Sequence, residues 1–212
     1  MTHSHPPLTL FGALDSGHSY KLRLALLLGR IPHRYVRIDL DLPREQRPEP
    51  FRSLSPYGEV PVLSWGEPGA PGSEVLAQSN AVLLQLAERL GLLAGAAGEL
   101  PLLQRWFFWE ANRIGFSVPN LRYALRWSPQ PEPVLAWLRA RATADLATLE
   151  AHLSTRDFVL DSGLSLADVS LSAYLHWLDQ AGLEESDWPA LSRWLERLRA
   201  LPGFVGPDEA MR

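Results

Sequence analysis

Around Leu92 the rhythm of the chain changes, and that change limits its fold more than any other feature. Before it, short β-like runs and helical segments take turns, punctuated by Gly and Pro. Leu8 to Gly12 reads as a strand. Ser19 to Leu28 reads as a helix with Leu22, Ala25 and Leu26 on one face, and Tyr35 to Leu40 as a half-buried strand in which Val36, Ile38 and Leu40 alternate. A charged, Pro-rich stretch from Pro43 to Pro50 follows. Val60 to Ser64 and Glu74 to Leu76 then read as an antiparallel pair, because the spacer from Trp65 to Gly72 is too long for a two-residue turn but suits a loose hairpin loop. Ser79 opens a helix whose Val82, Leu83, Leu86 and Leu90 recur at helical spacing, and Gly91 closes it. Leu92 to Gly98 is small residues and glycine, as in a linker. Beyond it the apolar pattern is helical throughout: Leu102 to Trp109, a helix begun near Pro131 and Pro133 with Leu135, Leu138, Ala142, Leu146 and Leu149, then Val169, Ala173 and Trp177, then Leu191, Trp194 and Leu198. No strand is expected there. The order points to an α/β first domain and an all-α second.

Composition removes several classes of function. At about 150 residues per domain, 212 residues make one domain or two small ones. No run of about 18 apolar residues is present to span a bilayer. The net charge of −4 divides as 9 basic against 9 acidic residues before Gly91 and 11 against 15 after it, so neither part offers the basic stripe a nucleic acid requires. Without cysteine there is no disulfide framework, no thiolate metal site and no protein thiol nucleophile. Any sulfur chemistry must use a borrowed thiol. His3 and His5 resemble a metal pair but sit on Met1 to Pro7, which has neither a basic start nor an apolar stretch and reads as a loose tail on a cytoplasmic protein. No metal is expected.

Two short segments point to ligand chemistry. Val60-Pro61 puts a residue without an N–H into a strand. It reads either as an edge or bulge, or as a cis corner that turns the Val60 amide and carbonyl outward toward an extended ligand. Eighteen residues on, Gln78-Ser79 stands at a helix mouth, where a hydroxyl, an amide side chain and unpaired backbone N–H groups can hold a carboxylate. By itself Ser79 is a helix N-cap. Ser165-Leu166-Ala167-Asp168 has the spacing of a capping box, a structural device.

With these motifs in this order, the sequence resembles the glutathione S-transferase superfamily nearly end to end, in particular its bacterial Ser-type, theta-, zeta- and nu-like members. The resemblance implies an α/β thioredoxin-like domain over residues 1–91, a linker over 92–97, and an all-α helical-bundle domain over 98–212. It implies glutathione as cosubstrate. Gln78 and Ser79 would take its γ-glutamyl end, and Val60 beside Pro61 would pair with the cysteinyl backbone. One of Arg44, Gln46 and Arg47, with Gln46 preferred, would meet the glycine carboxylate. In the Ser-type classes the residue that activates the thiol lies six positions before an apolar helix residue, and counting back from Leu22 reaches Ser16. His18 stands where relatives carry Cys or a side-chain amide and is a second catalytic candidate. Taken alone, Ser16 is a turn residue and Ser19 an N-cap.

The small hydrophobic electrophile would lie between the domains, with Trp106, Trp109, Phe116, Arg122 and Tyr123 as candidates; aromatics at helical spacing also build cores. A homodimer is implied. Lowering a thiol from near pH 8.5 by about two units requires about 2.7 kcal/mol. A hydrogen bond to a charged acceptor contributes roughly 1.5–3 kcal/mol and a helix N-terminus roughly 0.3–1, so one donor at a helix start suffices. Two other readings share the fold: a glutathione-dependent disulfide or peroxide reductase, and a non-catalytic binding module. A zeta-type isomerase fits less well, because its Ser-Ser-Cys is here Ser16-Gly17-His18.

Overall fold

The structure is a computed structural model in which residues 5–212 are described. The chain forms two compact units: one runs to Leu92 and takes in Gly203–Arg212, the other is Leu93–Pro202.

The first unit is built on a four-stranded sheet of order β2-β1-β3-β4, with β1 at Leu8–Gly12, β2 at Arg34–Arg37, β3 at Val62–Trp65 and β4 at Glu74–Ala77. β2 is parallel to β1, which requires the crossover helix α1, Gly17–Leu28, between them. β3 runs antiparallel to both β1 and β4. β1 is buried along its whole length, so its apolar residues run on without alternating. Phe11, Ile38, Phe51 and Val62 form a core cluster, onto which Val36, Leu54 and Val60 pack. Phe51 comes from the one-turn helix α2, Phe51–Leu54. The helix α3, Ser79–Leu90, ends at Gly91, whose φ of +62° closes it in the left-handed region that glycine adopts without penalty. α1 packs on β1, on α3 and on the terminal turn α9, Pro207–Ala210. That surrounding explains why Leu24 is buried as fully as Leu22 and Leu26.

The second unit is helical: α4 Leu100–Asn112, α5 Ile114–Arg126, α6 Glu132–Leu153, α7 Leu166–Ser172 and α8 Pro189–Arg199, with short 3-10 turns between α7 and α8. No strand is assigned within it. Pro101, Pro133 and Pro189 lie in first turns, where a missing N–H costs nothing. Every residue of α7 is buried. Its capping box forms: the Ser165 side chain accepts from the N3 amide, and the Ser165 N–H donates to Asp168 Oδ2 at 2.9 Å. Asp168 Oδ1 also accepts from the Val159 N–H at 2.8 Å and from Trp194 Nε1 at 2.9 Å.

Several boundaries differ from the sequence reading. β2 stops at Arg37 rather than Leu40. The Ile38 N–H still bonds to the Gly12 carbonyl at 2.7 Å, but Leu40 turns out into solvent at 41% exposure. β3 starts at Val62, so Val60-Pro61 precedes the ladder instead of belonging to it. The Val169–Trp177 helix ends at Ser172 and continues as a 3-10 turn. α1 begins at Gly17, two residues earlier than expected. The domain assigned to 98–212 loses its last ten residues to the first unit, because the Tyr20 hydroxyl donates to the Val205 carbonyl at 2.8 Å and Arg23 Nε to the Ala210 carbonyl at 3.3 Å.

Candidate functional site

The register of the sheet brings the first unit's candidate segments to one end. Phe11 pairs with Val62 and Val62 with Ala77. The exit of β1 toward Ser16, the entry of β3 at Val60-Pro61 and the exit of β4 into Gln78-Ser79 therefore leave the sheet side by side.

Ser16 occupies the N-cap of α1, correcting the assignment of that role to Ser19, and its φ of −96° and ψ of 105° are extended. Its Oγ accepts twice from one residue, from the Ser19 N–H at 3.1 Å and from the Ser19 hydroxyl at 3.1 Å. Ser19 Oγ in turn accepts from the Ala13 N–H at 3.3 Å. Ser16 is half-buried and Ser19 fully buried. Gly12 stands behind them, where an added Cβ would come within 2.9 Å of both Ser19 Cβ and Tyr35 Cε2. His18 lies half-buried in the first turn of α1.

The Val60-Pro61 bond is cis, as is Glu49-Pro50, which nothing in the sequence singled out. Pro61 is buried, and the Ser55 hydroxyl holds the preceding turn by donating to the Glu59 carbonyl at 3.0 Å.

Ser79 is the first residue of α3 rather than its cap; the cap position falls to Gln78, at φ +68° and ψ +106° with no side-chain hydrogen bond to the helix. A non-glycine residue outside the allowed regions at φ > 0 costs of the order of 1–3 kcal/mol and gathers at functional sites. The first N–H groups of α3 thus have no side-chain cap and lie at the positive end of a three-turn helix. Asn80, next along, accepts from Lys21 Nζ at 3.2 Å. Lys21 is the only lysine in the chain and is fully buried in α1, so it ties the first turn of α3 to that helix. It was legible only as a charge that, with Arg23, interrupts an apolar helix.

In the loop after β2 the arginines are occupied by backbone. Arg47 donates to the carbonyls of Leu40, Leu42 and Gly58, and Arg44 lies against Gly58 and donates to the Ser55 carbonyl at 3.5 Å. Gln46 is exposed in a 3-10 turn, Arg44–Gln46.

The electrophile candidates of the second unit fare unevenly. Trp106 is core, its ring 4.7 Å from His152 and edge-on to Trp109 at 5.4 Å. Arg122 is buried with its guanidinium over Trp177 at 4.3 Å and Trp127 at 4.9 Å, and donates to Gln180 Oε1 at 2.8 Å. Both residues are buried within the unit. Trp109 is half-buried, while Phe116 and Tyr123 are exposed. His5 bonds through Nδ1 to the Pro6 carbonyl, and His3 lies outside the described residues. Among the described residues no three of His, Cys, Asp and Glu gather as a metal site, and no helix is long and apolar enough to cross a membrane.

Residues 15–89 match the family model described as the glutathione S-transferase N-terminal domain, and residues 132–197 the one described as its C-terminal domain. A crystal structure of a "possible" glutathione S-transferase from Rhodopseudomonas palustris is 34% identical, with a TM-score of 0.79 over 95% of this chain and 97% of that one. The disulfide-bond oxidoreductase YfcG of Escherichia coli is 27% identical over 91% of this chain and 89% of its own. A zeta-class glutathione S-transferase of Euphorbia esula is 26% identical over 96% and 92%.

Proposed function

The chain belongs to the glutathione S-transferase superfamily, and from that membership we propose that it binds glutathione at the Ser16, Val60 and Gln78-Ser79 end of its sheet and activates the thiol for attack on small hydrophobic electrophiles. The observation that carries this reading is the register, which brings out together a hydroxyl at one helix start, a backbone residue outside the ladder and an uncapped second helix start.

Each part meets one demand of the tripeptide. The γ-glutamyl carboxylate takes the first turn of α3, which has no side-chain cap, and the Ser79 hydroxyl, with Gln78 held beside it by its unusual backbone. The cysteinyl amide and carbonyl extend the sheet through Val60, as an added strand does. Gln46 is the polar side chain left for the glycine carboxylate once Arg44 and Arg47 are accounted for. At the thiol, Ser16 has two hydrogen bonds arriving at Oγ and its own proton left to give. A thiolate accepts that proton as a charge-assisted bond while its own proton leaves to solvent, and the positive end of α1 adds to the preference. His18 is a second donor from the same turn. The sulfur lone pair then forms the new S–C bond, the electrophile releasing its leaving group or taking a proton from water. Proximity and thiol activation supply the rate, with no covalent protein intermediate.

A second reading draws on the likeness to YfcG. The chain has no cysteine, so reduction would use glutathione alone: two glutathiones and one disulfide give two thiols and glutathione disulfide. Assays with an activated aryl chloride and with a mixed disulfide separate the two activities. For Ser16→Ala we expect conjugation to fall about 10–100-fold, the loss of one charge-assisted hydrogen bond, with S-methylglutathione affinity retained. Unchanged conjugation removes Ser16 from the mechanism, and binding without any turnover leaves a binding module.

A further inference from the structure

Resting on the reading that Ser16 donates to the glutathione sulfur, we propose that Ser19 is a positioning residue that turns the Ser16 proton toward that sulfur. A hydroxyl has one proton and two lone pairs. Both lone pairs of Ser16 Oγ are taken by Ser19, one by its N–H and one by its hydroxyl, each at 3.1 Å. The Ser16 proton is therefore directed away from the helix.

The direction of the chain is set at its far end. Ser19 Oγ accepts from the Ala13 N–H, a group that can only donate, at 3.3 Å. Ser19 is fully buried and its own proton goes to Ser16 Oγ, the acceptor at 3.1 Å. The result is a one-way relay of hydrogen bonds, Ala13 N–H to Ser19 O–H to Ser16 O–H, whose last O–H is the one presented at the site. Serial hydrogen bonds polarise one another, so a hydroxyl that accepts twice is a stronger donor than one that accepts once. Without Ser19, the Ser16 hydroxyl regains a lone pair and the freedom to rotate away. The geometry allows Ser19 little alternative: it is fully buried, and Gly12 leaves no room for a side chain between it and Tyr35. A cap alone would need only the Ser19 N–H; the second bond, from the hydroxyl, is the one capping does not require.

The test is the pKa of glutathione bound to the full chain, read from ultraviolet thiolate absorbance across pH, for wild type, Ser16→Ala, Ser19→Ala and the double variant. Ser19→Cys joins them as a replacement of similar size whose S–H is a weak donor. Affinity for S-methylglutathione, which has no thiol proton, reports that the site is still built. We expect Ser16→Ala to raise the bound thiol pKa by about 1–2 units. We expect Ser19→Ala and Ser19→Cys each to raise it by about half a unit, and Ser19→Ala to add nothing once Ser16 is gone. Wild-type thiol pKa in both Ser19 variants overturns the relay, as does a Ser19→Ala rise of equal size with and without Ser16. Should Ser19→Ala fail to fold, Ser19→Cys decides alone. No shift in Ser16→Ala overturns the Ser16 reading itself, a result distinct from the failure of Ser19.

Discussion

At the scale of single residues, the site depends on groups whose neighbours leave them no choice. Gly12 is one: its missing Cβ is what allows Tyr35 and Ser19 to close behind Ser16. Gly12→Ala forces buried neighbours apart, and we expect a loss of about 1–3 kcal/mol in denaturant melts together with weaker thiol activation; wild-type stability and activity would show that the contact yields freely. His176 makes a different prediction. Burial, and then the charge of Arg199, lower its pKa to about 3 against the opposing pull of Glu185. A histidine kept neutral by folding contributes stability above its unfolded value near 6.5, and that stability is lost as pH falls toward 3. Folding stability should drop by roughly 1 kcal/mol per pH unit below 6.5, and the drop should be smaller in His176→Gln. Equal slopes in the two proteins would remove His176 from the pH response. His33, lowered chiefly by burial, adds in the same direction. That Ser16 lies at the start of α1 was legible from the order of strand and helix, whereas its bonds from Ser19 were not, because spacing does not reveal which hydroxyl faces which.

At the scale of elements, the helix and strand types were readable wherever the apolar pattern was long. α3, α6 and α8 lie within a few residues of the expected spans, because Val82 to Leu90, Leu138 to Leu149 and Leu191 to Leu198 hold their period. β2 was overextended because Leu40 keeps the alternation while the chain has already turned, and the two-residue shift at β3 comes from Pro61, which cannot donate to a ladder. The capping box was legible as a local motif; that Asp168 also holds Val159 and Trp194 was not, since those partners are distant in sequence. Asp168→Ala leaves three buried N–H donors without their acceptor. We expect a loss of about 3–5 kcal/mol with glutathione affinity retained in the folded protein at low temperature. A loss below about 1 kcal/mol would mean that the network rearranges around it.

At the scale of the whole chain, the change of rhythm near Leu92 was the strongest signal, and the two-part fold follows it. The return of Gly203–Arg212 to the first unit was hidden because α9 is a single turn, held by bonds to Tyr20 and Arg23 that no pattern announces. The aromatic residues of the second unit were readable as helical but not as interior or exterior: Trp106 is buried and Phe116 lies at the surface. The family resemblance also implies a homodimer, so sedimentation should return twice the mass of one chain, and a single-chain mass would contradict it. The most direct measurement is a crystal structure of the protein at saturating glutathione. The expected result is cysteinyl backbone paired with Val60 and the sulfur within about 3.5 Å of Ser16 Oγ; an empty site, or glutathione bound with its sulfur turned away from Ser16, would contradict it.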